Sequence, residues 1–169
     1  SMERDGYEAD KIRLFVMNLK TGEKKEYTKD FDQNVGGLSW ADDNTIYFIS
    51  DYHATDEIYK LTLNDGKIDK LTEGVHNYTS VIPVHDYLIA TKVSMSKPAE
   101  IYKVDPTTGK DTELSFVNKG ILDQLTMGKV ESRWIKTTDN KQMLTWVIYP
   151  PHFDPNKKYP AILYCEGGP

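Results

Sequence analysis

The chain has 169 residues, a length that suits one domain or two small ones. With 38% hydrophobic and 11% aromatic residues it carries enough apolar side chains to fold, which argues against an intrinsically disordered chain. A net charge of −5, with lysines interleaved among acidic residues, argues against a nucleic-acid partner, and no apolar stretch approaches the roughly 18 residues of a membrane-spanning helix.

Three landmarks recur with one period in the first two thirds of the chain. They are an apolar residue that opens a strand-like run, the glycine of the following turn, and a hydroxyl residue that closes the next run. The three repeats supply Leu14, Gly22 and Thr28, then Ile58, Gly66 and Thr72, then Ile101, Gly109 and Ser115. Spacings of 44 and then 43 residues between equivalent landmarks indicate a structural repeat.

Each of the first two repeats is predicted to contain four strands, counted from its apolar landmark, whereas the third departs from the pattern after its first hairpin. A four-stranded unit of roughly 40–45 residues has the size of a β-propeller blade, and such sheets bury their faces only by stacking on neighbours. The fold class is therefore mainly β, with two to three four-stranded antiparallel blades of a partial propeller. The predicted hairpins are Arg13–Leu19 with Glu23–Thr28, Gly37–Trp40 with Thr45–Ser50, Glu57–Leu63 with Lys67–Thr72, and Ser80–Val84 with Tyr87–Val93.

The pattern changes after Ser115. Strands are predicted at 130–136 and 142–149, where Pro150 and Pro151 end the second one. The later run 161–165 is apolar without alternation, which predicts a strand buried on both faces of a parallel sheet. We place a domain boundary within 121–128, with room for a short helix at 121–127. This boundary divides the chain into residues 1–125 and residues 126–169.

Three stretches carry a family resemblance. Residues 37–50, GLSWADDNTIYFIS, resemble the SWSPDG repeat of peptidase and TolB-like propellers, and residues 149–160 resemble the passage from such a propeller into a hydrolase domain. The final Glu-Gly-Gly-Pro stands where the family has His-Gly-Gly-Pro or Tyr-Ala-Gly-Pro. The chain thus resembles the prolyl oligopeptidase family of serine peptidases, nearest its bacterial dipeptidyl-peptidase and acylaminoacyl-peptidase branch. The resemblance implies that residues 126–169 are the first strands of an α/β-hydrolase domain.

The resemblance also implies catalytic chemistry. Its Ser–Asp–His triad places the serine in a G-x-S-x-G elbow, which this sequence lacks, so the triad is expected beyond Pro169 and this chain alone is expected to be inactive. Only the oxyanion region, Glu166 and Gly167, is expected here. A carboxylate cannot stabilise an oxyanion, so the donor is the Gly167 N–H. Glu166 then either binds the amino terminus of a substrate or faces solvent.

A second candidate region lies before the first strand. Glu8 is a candidate for binding a peptide amino terminus and Arg4 for binding a carbonyl or carboxylate; the alternative is an ordinary connection between blades. Ser39, Asp42 and His53 can be drawn as a triad, but their segment matches the propeller repeat. His53, His76, His85 and His152 are predicted in surface loops without metal-ligand spacing, and Cys165 has no partner for a disulfide. No metal or cofactor is expected.

The resemblance implies a serine exo- or oligopeptidase that acts on short peptides and releases N-terminal dipeptides or acyl-amino acids. The alternative is a non-enzymatic, TolB-like binding scaffold, which explains residues 11–115 equally well but not the later strands. The resemblance suggests a periplasmic or secreted bacterial protein and leaves a cytoplasmic location open. Because two and a half blades cannot close a ring, we expect exposed strand edges and self-association through them.

Overall fold

The fold is built almost entirely from short antiparallel strands joined by tight turns. The computed structural model describes residues 4, 6, 7 and 9–165. Contacts divide the chain into two units between Asp123 and Gln124. The strands of the first unit are β1 (Phe15–Met17), β2 (Lys24–Glu26), β3 (Gly36–Asp42), β4 (Thr45–Tyr52), β5 (Thr55–Thr62), β6 (Lys67–Lys70), β7 (Asn77–Val84), β8 (Tyr87–Ser94), β9 (Lys97–Val104) and β10 (Asp111–Glu113).

Two four-stranded antiparallel sheets follow one another in the first unit. Strands β3 to β6 pair in chain order and form the first blade, and β7 to β10 form the second blade in the same way. A single parallel bridge, between Asp56 and Asn77, joins the two blades, and the separate hairpin β1–β2 precedes them. The prediction of two to three antiparallel blades is confirmed.

The phase of the repeat was predicted wrongly. The apolar landmarks Ile58 and Ile101 lie in β5 and β9, which are the third strands of their blades rather than the first. Each blade therefore begins half a repeat before its landmark. The cause is that the connection after β6 crosses to a new sheet, whereas the connection after β4 is a tight hairpin turn. Both connections are short, so periodicity alone could not separate them.

The first blade is buried on both faces because its strands alternate with a period of two. Ile46 and Phe48 of β4 face the β1–β2 hairpin, where they pack with Tyr59, Leu61 and Leu14. The intervening positions face the second blade and form another core cluster. That cluster contains Tyr47, Ile58, Tyr78, Val81, Leu88, Ala90, Tyr102 and Val104. Stacking of sheet on sheet therefore supplies the core.

The hydroxyl landmark forms the same hydrogen bond in each repeat. In each repeat the hydroxyl oxygen accepts a bond from the backbone N–H of the apolar landmark, which ties the end of a blade's outer strand to the strand beside it. The pairs are Thr28 with Leu14 at 2.8 Å, Thr72 with Ile58 at 2.9 Å, and Ser115 with Ile101 at 2.8 Å. The sequence period thus reports a physical contact.

The first unit ends with a short helix, α1 (Lys119–Leu122), which begins before the predicted segment 121–127 and overlaps it only at 121–122. With four residues, this helix of the described chain is far too short to cross a lipid bilayer. The second unit contains the hairpin β11 (Val130–Lys136) and β12 (Gln142–Ile148), paired in register along its whole length. Both strands were predicted at these positions. The assignment of residues 126–169 to a hydrolase domain stays a prediction.

The run 161–165 differs from its prediction. It forms no strand, and Ile162 is 98% exposed. A strand requires a neighbour that pairs with its backbone groups. No described strand lies beside this run, so its apolar side chains stay in solvent despite a sequence typical of a buried strand.

Candidate functional site

A polar cluster lies at the junction of the two blades. The Tyr78 hydroxyl, on β7, donates a hydrogen bond of 2.6 Å to Asp111 Oδ2, on β10. The Lys92 ammonium, on β8, donates to the same oxygen and lies 4.0 Å from the centre of the Tyr102 ring. Donors from two strands thus converge on a carboxylate of a third strand in the same blade, and Tyr78 itself is only 1% exposed.

The electrostatics of this cluster favour a charged carboxylate and a neutral phenol. Burial alone raises the pKa of Asp111, but hydrogen bonds from Lys92 and Tyr78 outweigh burial and hold that pKa below its ordinary value. Burial and the neighbouring Asp111 carboxylate both raise the pKa of Tyr78. Tyr78 therefore remains a hydrogen-bond donor throughout the physiological pH range.

A second ionic group adjoins the first. His76 Nε2 lies 3.4 Å from Glu57 Oε2, an ion pair when the imidazole is protonated, and the His76 ring packs edge-on against Tyr78 at 4.9 Å between centroids. Burial raises the pKa of Glu57, but the His76 imidazole and the Thr72 hydroxyl outweigh burial, so the pKa lies below its ordinary value. His76 was predicted on the surface, yet its side chain is only 16% exposed, because the connection between the blades folds inward over Glu57.

These groups border a cavity of about 550 Å³ between the blades. Its lining is mostly polar and of mixed charge, and includes Glu73, His76, Tyr78, Lys92, Lys110 and Asp111. The lining contains no serine or cysteine. Of its two threonines, Thr72 donates its hydroxyl to Glu57 at 2.6 Å, and the Thr108 hydroxyl accepts a bond of 3.4 Å from the Lys110 N–H. The arrangement suits hydrogen bonding and charge pairing rather than nucleophilic catalysis.

The predicted site residues have different outcomes. Glu8, Glu166 and Gly167 lie outside the described residues. The guanidinium of Arg4 forms a salt bridge of 2.7 Å with Asp10 and lies 3.6 Å above the ring of Tyr7. The hydrogen bond from the Arg4 side chain lowers the pKa of Asp10.

Ser39, Asp42 and His53 do not form a triad. Asp42 lies just before β4, where its Oδ1 accepts a bond from the Asn44 N–H, and His53 lies just after β4. A strand of that length separates its ends by roughly 20 Å. No group of three or more His, Cys, Asp or Glu residues that could hold a metal ion occurs in the described part of the chain.

Sequence reasoning missed the acids of these two groups. Glu57 is 0% exposed and Asp111, at the start of β10, is half-buried, yet both stand in strands rich in charged residues. Their only signal was position, since Glu57 immediately precedes the landmark Ile58. The partners that stabilise them come from other strands and become visible only after folding.

The second unit contains a cavity of its own. It has a volume of about 360 Å³, and its lining includes Met127, Lys129, Glu131, Tyr149, His152 and Phe153. The rings of Tyr149 and Phe153 lie 4.5 Å apart, and that of Tyr159 lies 5.2 Å beyond. This aromatic series orders the polar loop that follows β12.

Comparison with known proteins shows which proteins this chain is similar to. No protein-family model matches the chain. The dipeptidyl-peptidase 5 of Porphyromonas gingivalis is 47% identical over 100% of this chain, and that of Porphyromonas endodontalis is 44% identical over the same extent. These similarities support assignment of the chain to the prolyl oligopeptidase family. The chain spans about a quarter of the length of these relatives, 25% in both cases.

Solved structures agree with the fold of this chain. An acylaminoacyl peptidase in complex with Z-Gly-Gly-Phe-chloromethyl ketone matches with a TM-score of 0.67 at 24% identity, over 82% of this chain and 21% of the other. The β-propeller domain of the Trilobed protease from Pyrococcus furiosus matches with a TM-score of 0.54 at 19% identity, over 68% of this chain and 34% of the other. At these identities the matches establish the fold.

Proposed function

We propose that this chain is the part of a serine dipeptidyl peptidase in which a propeller leads into an α/β-hydrolase domain. Residues 1–125 then belong to the propeller and residues 126–169 begin the catalytic domain. The observation that carries the proposal is 47% identity to a dipeptidyl-peptidase 5 along the whole of this chain. The substrates are short peptides, from which the enzyme removes N-terminal dipeptides.

In this proposal the chain contributes one catalytic group. The N–H of Gly167 donates to the oxyanion that forms when the serine attacks the scissile carbonyl. The triad is supplied by sequence outside these 169 residues. Glu166, beside that donor, either binds the amino terminus of the peptide or faces solvent.

The blades contribute no catalytic group in this proposal; they exclude long polypeptides from the catalytic cavity. The sheets stack through two apolar core clusters, one that contains Phe48 and one that contains Tyr78, and form a well-packed wall. This wall restricts access to the catalytic cavity to short peptides. Arg4 and Glu8, ahead of β1, remain candidates for contact with the substrate. The Asp10 carboxylate and the Tyr7 ring restrict the rotamers of Arg4, which would lower the entropic cost of binding a carbonyl or carboxylate.

Kinetic assays test the assignment. The intact polypeptide that contains this segment is incubated with dipeptidyl and acyl-aminoacyl chromogenic peptides, with and without a serine-directed phosphonate. We expect the intact polypeptide to release dipeptides from the chromogenic substrates, and the phosphonate to inhibit this release. Residues 1–169 alone are expected to show no turnover. Turnover by the 169-residue chain would contradict the placement of the triad. Absence of both turnover and phosphonate labelling in the intact polypeptide would favour the TolB-like scaffold.

We also propose that the 169-residue chain self-associates when isolated. Strand β1 pairs only with β2 among the described strands, so one of its edges offers free backbone groups. Light scattering over a concentration series measures the association. A monomer at every concentration would contradict the proposal.

A further inference from the structure

One position of the repeat carries a buried acid in two successive blades. Glu57 precedes the landmark Ile58, and Glu100 precedes Ile101, 43 residues later. Both are buried, at 0% and 2% exposure. Buried carboxylates are costly unless several donors satisfy them, so two at equivalent positions indicate a shared task.

The two acids bind equivalent groups. Glu100 accepts hydrogen bonds from the Ser115 hydroxyl, from the Val117 N–H at 3.3 Å, and from the backbone and side-chain N–H groups of Asn118 at 3.0 Å each. All these donors lie on the segment that leaves the outer strand of the second blade. The carboxylate therefore holds that segment by its main chain.

Glu57 repeats this arrangement in the first blade. It accepts from the Thr72 hydroxyl at 2.6 Å and from the Gly74 N–H at 3.1 Å, both on the segment that leaves β6, and from Thr55 at 3.2 Å. Thr72 and Ser115 are the equivalent hydroxyl landmarks of their repeats. In both blades one carboxylate thus binds the landmark hydroxyl and a backbone N–H two residues further on.

At the preceding hairpin β1–β2, basic residues take the place of the two acids. Arg13 occupies the position of the two acids and lies 3.5 Å from Glu26. The segment that leaves β2 is held by Lys11, whose ammonium donates to the backbone carbonyls of Thr28 at 2.9 Å, Lys29 at 3.0 Å and Phe31 at 2.7 Å. Here the connection presents carbonyls instead of N–H groups, and a cation replaces the anion.

We propose that Lys11, Glu57 and Glu100 are ionic anchors that set the path of the chain between successive sheets, each with the charge that its connection requires. The anchor at Glu57 has a direct consequence for the polar cluster. Its connection continues into His76 and Tyr78, so the same carboxylate that holds Gly74 also orients the groups that border the cavity between the blades. The inference is independent of the peptidase assignment.

Titratable groups surround the two acids differently. Glu57 faces His76 on the connection, Tyr78 on β7, and Asp56 and Tyr59 on its own strand. The groups that bind Glu100 are hydroxyl and amide donors from one connection. Glu100 is therefore the cleaner position for a test.

Hydrogen exchange in the intact polypeptide tests the anchors. Glu100→Gln places an amide N–H group against donors that need an acceptor, so we expect exchange of the Val117 and Asn118 amides to accelerate at least tenfold. Glu57→Gln is expected to do the same for Gly74. The matched control is Glu73→Gln, which changes an acid with a 77% exposed side chain. Rates within twofold of the wild type in folded Gln variants would overturn the proposal.

The wild-type protein provides a second measurement should a variant fail to fold. Glu100 with this set of donors is expected to titrate, by carboxyl carbon shifts in NMR, far below its ordinary pKa of 4.5. A midpoint near 4.5 would overturn its role. For the cation, Lys11→Met is expected to accelerate exchange of the Phe31 amide, with Lys20→Met, at an exposed position, as the control. Equal rates in both would exclude Lys11 as an anchor.

Discussion

Gly109 of the second blade lies directly against the backbone carbonyl of Leu71, just after β6 of the first blade. A Cβ on Gly109 would fall 1.8 Å from the Leu71 carbonyl oxygen. Gly109 also has a φ of +69°, which L side chains rarely adopt. One glycine therefore meets two separate demands, a left-handed turn within its blade and close approach to the neighbouring blade.

Replacement of Gly109 separates these demands. Gly66→Ala, at the equivalent turn with a φ of +71° and open space around it, is expected to cost about 1–2 kcal/mol through backbone strain alone. Gly109→Ala adds overlap with the Leu71 backbone, which brings the expected loss of unfolding free energy above about 3 kcal/mol. Urea denaturation of the intact polypeptide measures both variants. Equal losses of unfolding free energy in the two variants would show that the contact between Gly109 and Leu71 does not constrain residue 109.

The hydrogen bond between Tyr78 and Asp111 is expected to stabilise the second blade. Tyr78→Phe removes a buried donor to a carboxylate and should cost roughly 1.5–3 kcal/mol of unfolding free energy. Tyr87→Phe, which keeps a ring beside Lys103, serves as the control and should change little. A double-mutant cycle with Asp111→Asn isolates the pair. A coupling energy near zero would contradict the proposed network.

Glu100 is expected to make stability acid-sensitive. The Ser115 hydroxyl and then the Asn118 N–H lower the pKa of Glu100 to about 2, below its ordinary value of 4.5. Because the folded-state pKa is the lower one, this stabilisation is complete above the unfolded-state pKa and is lost as the pH falls from about 4.5 to about 2. The difference in Tm between wild type and Glu100→Gln should therefore shrink across this window. A constant difference from pH 7 to pH 2 would exclude the mechanism.

Cys165 reports on the proposed catalytic domain. It is exposed in the present structure, so the isolated 169-residue chain should react with a disulfide reagent at the rate of a free thiol. If residues 161–165 form a buried strand in the intact polypeptide, the reaction should slow at least a hundredfold. An engineered Asp43→Cys, exposed in a turn, provides the reference rate in a chain that lacks Cys165. Equal rates in both proteins would contradict the buried strand.

Periodicity predicted the local elements well because its causes are local. The hairpin β11–β12 and the turns at Gly22, Gly66 and Gly109 follow from alternation and from the need for positive φ, both of which depend on a few adjacent residues. The spacing of the hydroxyl landmarks indicates a repeat but not the role of the hydroxyl groups. Their bond to the apolar landmark bridges about 14 residues, from Ile58 to Thr72 or from Ile101 to Ser115.

The polar cluster and the grouping of strands into blades were not predictable in this way. Tyr78 and Asp111 are 33 residues apart, and a tyrosine and an aspartate in two strands give no sign that they will meet. His76 was predicted on the surface because it lies in a predicted loop. The buried Glu57 beneath it reverses that interpretation, since a carboxylate without water needs partners wherever the chain can supply them.

By itself, then, the amino-acid order determined the strands, the turns and their 43- to 44-residue period, since these depend on side-chain alternation and on backbone preferences over a few residues. Tertiary structure decided which strands share a sheet, which acids become buried anchors, and whether an apolar run such as 161–165 is covered. These outcomes depend on groups distant in sequence, because a buried charge or an open strand edge is stabilised only by the partner that packing brings to it.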